Sequence, residues 1–234
     1  MKKSIVLFVQ LFLLLAVVTP VIAQDRSSNL NLGLQIVQPT GDFSKQFDGI
    51  PVGVAGSFSL PVRRSPIEWG VGFAWNSMGS DDRDIIALIK QENATDQLAK
   101  GRLAVRNTST RYIVHARFRP LNGRIQPYAD VFTGPEVFKT KSNITIDDNS
   151  YTTELSENRD HLDMTFFWGW AAGLRVRVVS SLFVEARFES INGGRVTYVD
   201  SESVEVKRDN SIDFELKESL TNRVVYQLGV AFGF

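Results

Sequence analysis

The chain has 234 residues, with 26 Lys and Arg balanced by 26 Asp and Glu, two His and no Cys. That balance offers no basic footprint for nucleic acid, and the missing cysteines remove disulfides, thiol nucleophiles and cysteine metal sites together. Beyond the N-terminus no apolar run approaches the ~20 residues of a membrane helix, which excludes a helical inner-membrane protein.

The first element is an export signal. Lys2 and Lys3 precede an apolar run, Ile5 to Val18, interrupted only by Gln10. After the breaker Pro20, Val21-Ile22-Ala23 has the small-residue pattern of a cleavage site. Residues 1–23 are therefore expected to be a signal peptide, and 24–234 one all-β domain.

Period-two alternation then recurs eight times, as strands with two unlike faces require. At 29–37, Leu30, Leu32, Leu34 and Ile36 alternate with Asn31, Gly33 and Gln35. At 52–62, Val52, Val54, Phe58, Leu60 and Val62 alternate with Gly53, Ala55, Ser57 and Ser59. At 67–76, Ile67, Trp69, Val71, Phe73 and Trp75 oppose Glu68, Gly70, Gly72, Ala74 and Asn76. At 111–119, Tyr112, Val114, Ala116 and Phe118 oppose Arg111, His115, Arg117 and Arg119. At 125–134, Ala129 and Val131 oppose Gln126, Tyr128 and Asp130. At 164–178, Phe166, Trp168, Trp170, Leu174 and Val176 oppose Gly169, Ala171, Gly173, Arg175 and Arg177. At 182–189, Leu182, Val184, Ala186 and Phe188 oppose Phe183, Glu185, Arg187 and Glu189. The final segment sets Val224, Tyr226, Leu228, Val230, Phe232 and Phe234 against Val225, Gln227, Gly229, Ala231 and Gly233.

The connections alternate in length. Residues 63–66, 120–124 and 179–181 are short; 38–51, 77–110, 135–163 and 190–222 are long. Eight strands near the ~9–11 residues that cross a bilayer, with loop lengths sorted to opposite ends, predict a transmembrane up-and-down antiparallel β-barrel with four long outer loops. In 77–110, Ile85, Leu88, Ile89 and Leu98 suggest a helix from Asp81 or Asp82 to Lys100, stopped by Gly101. It would cap the barrel mouth, or meet a partner or the membrane surface. In 190–222, renewed alternation at 196–199, 204–206 and 212–216 predicts a protruding hairpin, with Asn192-Gly193-Gly194 bending the chain.

Two considerations turn the bulky apolar face outward. An eight-stranded lumen holds only side chains, which suits the Gly- and Ala-rich face. The aromatic residues Trp69, Tyr112, Trp168, Trp170, Tyr226, Phe232 and Phe234 lie towards strand ends, where interfacial girdles form. The inward charges then need partners, because an unpaired buried charge is costly. Arg111, Arg117, Arg119, Arg175, Arg177, Arg187 and Arg223 are expected to meet Glu68, Asp130, Glu185 and Glu189. The result is a packed ion-pair lattice or, in the alternative, an anion path lined by surplus arginine.

These features resemble the OmpA/OmpX-like outer-membrane β-barrel family, in its single-domain form. Pro39-Thr40-Gly41-Asp42-Phe43 is similar to a Pro-x-Gly-x-Phe turn common there. The run from Tyr226 to Phe234 is similar to the terminal strand, ending in Phe, that the barrel-assembly machinery reads. The resemblance implies a bacterial outer-membrane location, with outer-membrane lipid, lipopolysaccharide and the assembly machinery as partners. No peptidoglycan-binding domain follows the barrel, so no cell-wall tether is expected.

Catalytic chemistry finds little support. His115 is expected inside the lumen, and Ser156, His161 and Asp163 lie too close within one loop for a nucleophilic triad. The acidic residues Asp147, Asp148, Glu154, Glu157, Asp160 and Asp163 lack calcium-loop spacing. No catalytic residue, cofactor or metal is assigned. The expected function is a non-enzymatic barrel whose loops serve surface binding or envelope integrity; a small porin, or an enzyme acting on lipid A or peptides, is the alternative.

Overall fold

A computed structural model describes residues 27–46, 50–63, 65–89, 97–148, 151–155, 161–199, 205–206, 212–213 and 216–234. The expected signal peptide lies outside the described residues. In chain order the elements are β1 (Asn29–Pro39), a 3-10 helix (Gly41–Gln46), β2 (Val52–Pro61), β3 (Ile67–Ile89), β4 (Gln97–Phe118) and β5 (Ile125–Asp148). They continue with β6 (Tyr151–Leu155), β7 (His161–Val179), β8 (Leu182–Gly193), β9 (Arg195–Val199), β10 (Glu205–Val206), β11 (Ile212–Asp213), β12 (Leu216–Leu220) and β13 (Arg223–Gly233).

Eight strands close on themselves. Each pairs antiparallel with its neighbour in the order β4-β3-β2-β1-β13-β8-β7-β5, and β5 returns to β4. Terminal strands β1 and β13 seal the cylinder from Asn29↔Gly233 to Pro39↔Arg223, so neither is left as an edge. The faces divide as the alternation requires. Leu34, Phe166 and Leu228 are 70%, 67% and 69% exposed, whereas Glu68, Arg111 and Arg175 are 0% exposed. Large apolar side chains outside and fully buried charges inside invert a water-soluble protein. This is the arrangement hydrocarbon solvation selects, because a closed barrel leaves no backbone N–H or C=O unpaired in lipid.

The three tight connections fall where expected, and the second and third long ones are mostly strand among the described residues. β3 and β4 continue pairing to Ile89↔Gln97, and β4 and β5 to Gly101↔Ile146. The helix expected over 81–100 is therefore absent: residues 81–89 and 97–100 are strand. Ile85, Ala87 and Ile89 satisfy a period of two as well as Ile85, Leu88 and Ile89 satisfy a helical one. A barrel strand already in hydrogen-bonding register extends without a new nucleus.

One irregularity interrupts the ladder. The register slips between Ser77 and Gly79, and the extra residue, Met78, is buried. Gly79 has φ of 131°, a conformation side chains other than hydrogen rarely adopt.

The hairpin expected in 190–222 is present. β9 pairs with β12 from Arg195↔Leu220 to Val199↔Leu216, and β10 pairs with β11 beyond them. Gly194 makes the bend between β8 and β9, donating its N–H to the Phe166 carbonyl and accepting from the Thr221 N–H.

Candidate functional site

The site a barrel of this size can offer is its lumen and the mouth above it. Small and large residues are segregated around the wall. β13, β1, β2 and β3 send in Gly229, Gly33, Ala55, Ser57, Gly70 and Gly72, while β4, β5, β7 and β8 supply Arg111, Arg117, Arg175, Arg187, Tyr128 and Phe132. The exceptions on the crowded side are telling. A Cβ on Gly173 would fall 2.2 Å from the Tyr128 ring, and one on Gly169 would meet Phe132 at 2.7 Å.

Within this space the charges form one continuous network. Arg117 donates from Nε to Asp130 Oδ1 at 2.8 Å and from Nη2 to Oδ2 at 2.9 Å. Its guanidinium also lies 3.9 Å from the centroid of the Tyr128 ring. Tyr128 donates its hydroxyl to Glu185 at 2.6 Å. Glu185 accepts from Arg175 Nε at 2.5 Å, and Arg175 Nη2 reaches Asn31 at 2.9 Å. Arg187 bridges Asp130 and Glu189. Arg111 then links Glu189 to Gln35, at 3.0 Å each, and Gln35 donates to Gln227 at 3.2 Å. The network thus joins β1, β4, β5, β7, β8 and β13. A buried ion pair survives desolvation only when its geometry is good and its remaining valences are occupied, and the bidentate and bridging contacts supply both.

Two smaller groups flank it. Near the short turns, Arg119 pairs with Glu68 and donates to Gln126 at 2.5 Å. Towards the long loops, Arg223 donates to Glu136 at 2.6 Å, both side chains wholly buried. Arg177 departs from the expected pattern: it donates to the Asn122 carbonyl at 3.2 Å and its guanidinium sits 5.3 Å from the Phe183 ring. Glu136 is the acidic member that sequence reading missed, because Gly134-Pro135 reads as the end of a strand. Pro135 only removes rungs from the β4–β5 ladder, and alternation resumes at Glu136, Phe138 and Thr140. His115 stands inside the lumen as expected, 3.0 Å from the Ser59 hydroxyl.

Two apolar clusters accompany the charges, the first level with Arg111 and Glu189 and the second nearer the long loops. The first comprises Val37, Ala74, Ile113, Phe132, Phe167, Ala171, Ile191 and Val225. The second gathers Phe43, Met78, Phe138 and Val196. Each of its members comes from a different long connection, and Phe43, on the 3-10 helix, meets Phe138 edge-on at 6.1 Å. Among the described residues the mouth is therefore capped by side chains from all four long connections, with Phe43 of the first at its centre, and not by a helix of the second.

The loop residues weighed for catalysis have local partners. His161 Nε2 is 3.1 Å from the Thr197 carbonyl, and Asp163 accepts the Thr197 N–H at 2.6 Å. Both side chains thereby hold the backbone of Thr197 on β9 against β7. Ser156, Glu157 and Asp160 lie outside the described residues. Asp147 and Asp148 stand on β5, paired across from Thr152 and Tyr151, with Glu154 on β6. No group of three or more metal-ligating side chains occurs among the described residues.

A closed eight-stranded barrel with an apolar belt and a polar, buried interior is a transmembrane protein, and the chain resides in the bacterial outer membrane. No protein-family model and no curated protein sequence matches it. Among solved structures it is similar to a major outer membrane protein from Thermus thermophilus, 10% identical, with a TM-score of 0.51 over 89% of this chain and 100% of that one. The attachment invasion locus protein Ail of Yersinia pestis is 13% identical, with a TM-score of 0.45 over 90% of this chain and 100% of that one. Neisserial surface protein A is 11% identical, with a TM-score of 0.43 over 88% and 97%. At such identities the likeness concerns the fold alone.

Proposed function

We propose that the chain is a non-conducting, non-enzymatic scaffold of the outer membrane, which holds extended strands and hairpins on the outer side for surface binding or envelope integrity. The observation that carries this reading is the double closure of the lumen. A lattice of buried Arg–carboxylate contacts crosses it from Asn31 to Gln227, and the Phe43–Phe138 cap lies above. An ion entering would have to break charge-assisted hydrogen bonds and displace packed aromatic rings. The terminal strand ending in Phe234 supplies the segment for the assembly machinery, and lipopolysaccharide is the surrounding lipid.

The porin alternative keeps one point in its favour: seven inward arginines face five carboxylates. Planar-bilayer recording on the purified protein tests the choice. The scaffold reading expects no stable unitary conductance, and large, reproducible anion-selective steps would refute it.

A further inference from the structure

The outer wall of β4 and β5 carries a second cluster of charge, facing away from the lumen. Along β4 the outward positions run Phe118, Ala116, Val114, Tyr112, Thr110, Thr108, Arg106, Ala104 and Arg102. Tyr112 and Val114 are exposed apolar belt, whereas Arg106 and Arg102 are exposed cations. On β5 the outward positions include Lys139 and Lys141. The register sets Arg106 directly opposite Lys141. Like charges facing each other across an antiparallel pair are destabilising. On its other side Arg106 faces Ser80 of β3; Asp84 stands opposite Arg102, four residues further out along β4. Neither Arg106 nor Lys141 makes an ion pair with a described residue.

Height decides what medium this pair meets. From Phe118 to Arg106 the chain climbs β4 for twelve residues, at ~3.3 Å each and with a tilt of ~40°. Arg106 therefore stands about 30 Å above Phe118, the thickness of a hydrocarbon core. The pair sits where the outward face changes from apolar to polar, at the level of outer-leaflet headgroups.

We infer that Arg106 and Lys141 form a site on the barrel's outer wall for a phosphate of the outer-leaflet glycolipid, lipid A. A guanidinium presents parallel donors to phosphate oxygens while an ammonium adds a point charge, so one dianionic group between them converts the repulsion into two attractive contacts. The belt residues below, Tyr112 and Val131, offer apolar surface for the acyl chains of the same lipid. The inference rests on the outer-membrane setting and is independent of whether the lumen conducts.

The test titrates protein purified from outer membranes and stripped of lipid, in zwitterionic micelles, with bisphosphorylated lipid A and with its dephosphorylated form. Binding is read by thermophoresis. Each basic residue near a lipid surface contributes about a fivefold factor, so Arg106→Gln with Lys141→Gln weakens binding of the phosphorylated lipid about thirtyfold. Arg195→Gln, on the β9–β12 hairpin, leaves it unchanged. Heat-modifiability on gels verifies that the variants are folded; if the double variant does not fold, the comparison of the two lipids on the unaltered protein decides. Equal affinity for the two lipids, or wild-type binding by a folded double variant, overturns the inference. Displacement of lipid A by millimolar inorganic phosphate overturns the lipid assignment in favour of a soluble anion.

Discussion

Arg117 grips Asp130 through two parallel hydrogen bonds of 2.8 and 2.9 Å, across the β4–β5 seam and with both side chains withdrawn from solvent. Asp130 also accepts from Arg187, so a single carboxylate neutralises two cations from β4 and β8. Asp130→Asn removes that charge and leaves two buried guanidinium groups facing an amide. The expected loss is about 3–5 kcal/mol, as for breaking a buried pair from one side. Denaturant titration of the folded protein in lipid vesicles measures it. Combining Asp130→Leu with Arg117→Met costs less than the sum of the single changes, because contacting partners couple.

The Tyr128 ring leaves no room opposite. It is held by Arg117 on one face and by its hydroxyl contact to Glu185, so it has little freedom to retreat from a side chain at Gly173. Gly173→Val is expected to destabilise by about 1–3 kcal/mol, in the range of overpacked cores. Gly123→Val, in an exposed turn where an added Cβ would meet nothing closer than 3.8 Å, serves as the mild comparison. Equal effects of the two substitutions would remove the packing explanation.

The mouth cap makes a separate prediction about access. Met78 is buried against Phe43, Phe138 and Val196. A cysteine at position 78 should resist a hydrophilic maleimide in the otherwise unaltered protein, and should label when Phe43→Ala is added. Rapid labelling of Met78→Cys alone would show that the cap does not seal the mouth.

Belt residues carry their own cost. Leu228 lies midway along β13, outward and highly exposed. Leu228→Arg is expected to destabilise the barrel in bilayers by about 2–4 kcal/mol. The same change at Phe234, beyond the end of β13, costs less because the side chain reaches the interface. Vesicle unfolding compares the two.

The architecture was legible because lipid imposes a binary rule on every strand. A residue such as Leu34 must suit hydrocarbon and its neighbour Gln35 must suit a crowded polar interior, so period two survives along the whole span. Beyond the belt that rule lapses. At 85–89 the run Ile-Ile-Ala-Leu-Ile fits helix and strand alike, and only the ladder already running from Ile67↔Phe118 selects strand. Glu136 was hidden by the Gly134-Pro135 pair before it. The lattice members were visible as residue types on an inward face, but their partners were not. Whether Arg187 takes Asp130 or Glu185 depends on barrel shear, which no local pattern carries. Phe43 belonged to a recognisable turn, yet its seat among Met78, Phe138 and Val196 depends on contacts across four loops.

Spin labels placed singly at Leu34, Val184, Leu228 and Ser57 in bilayer-reconstituted protein test the account most directly. Accessibility is read with molecular oxygen, which concentrates in lipid, and with a water-soluble nickel complex. Labels at Leu34, Val184 and Leu228 are predicted to favour oxygen strongly, and the label at Ser57 to be shielded from oxygen. Nickel access at Leu34 or Leu228, together with oxygen access at Ser57, would place the charged face against lipid and contradict the account.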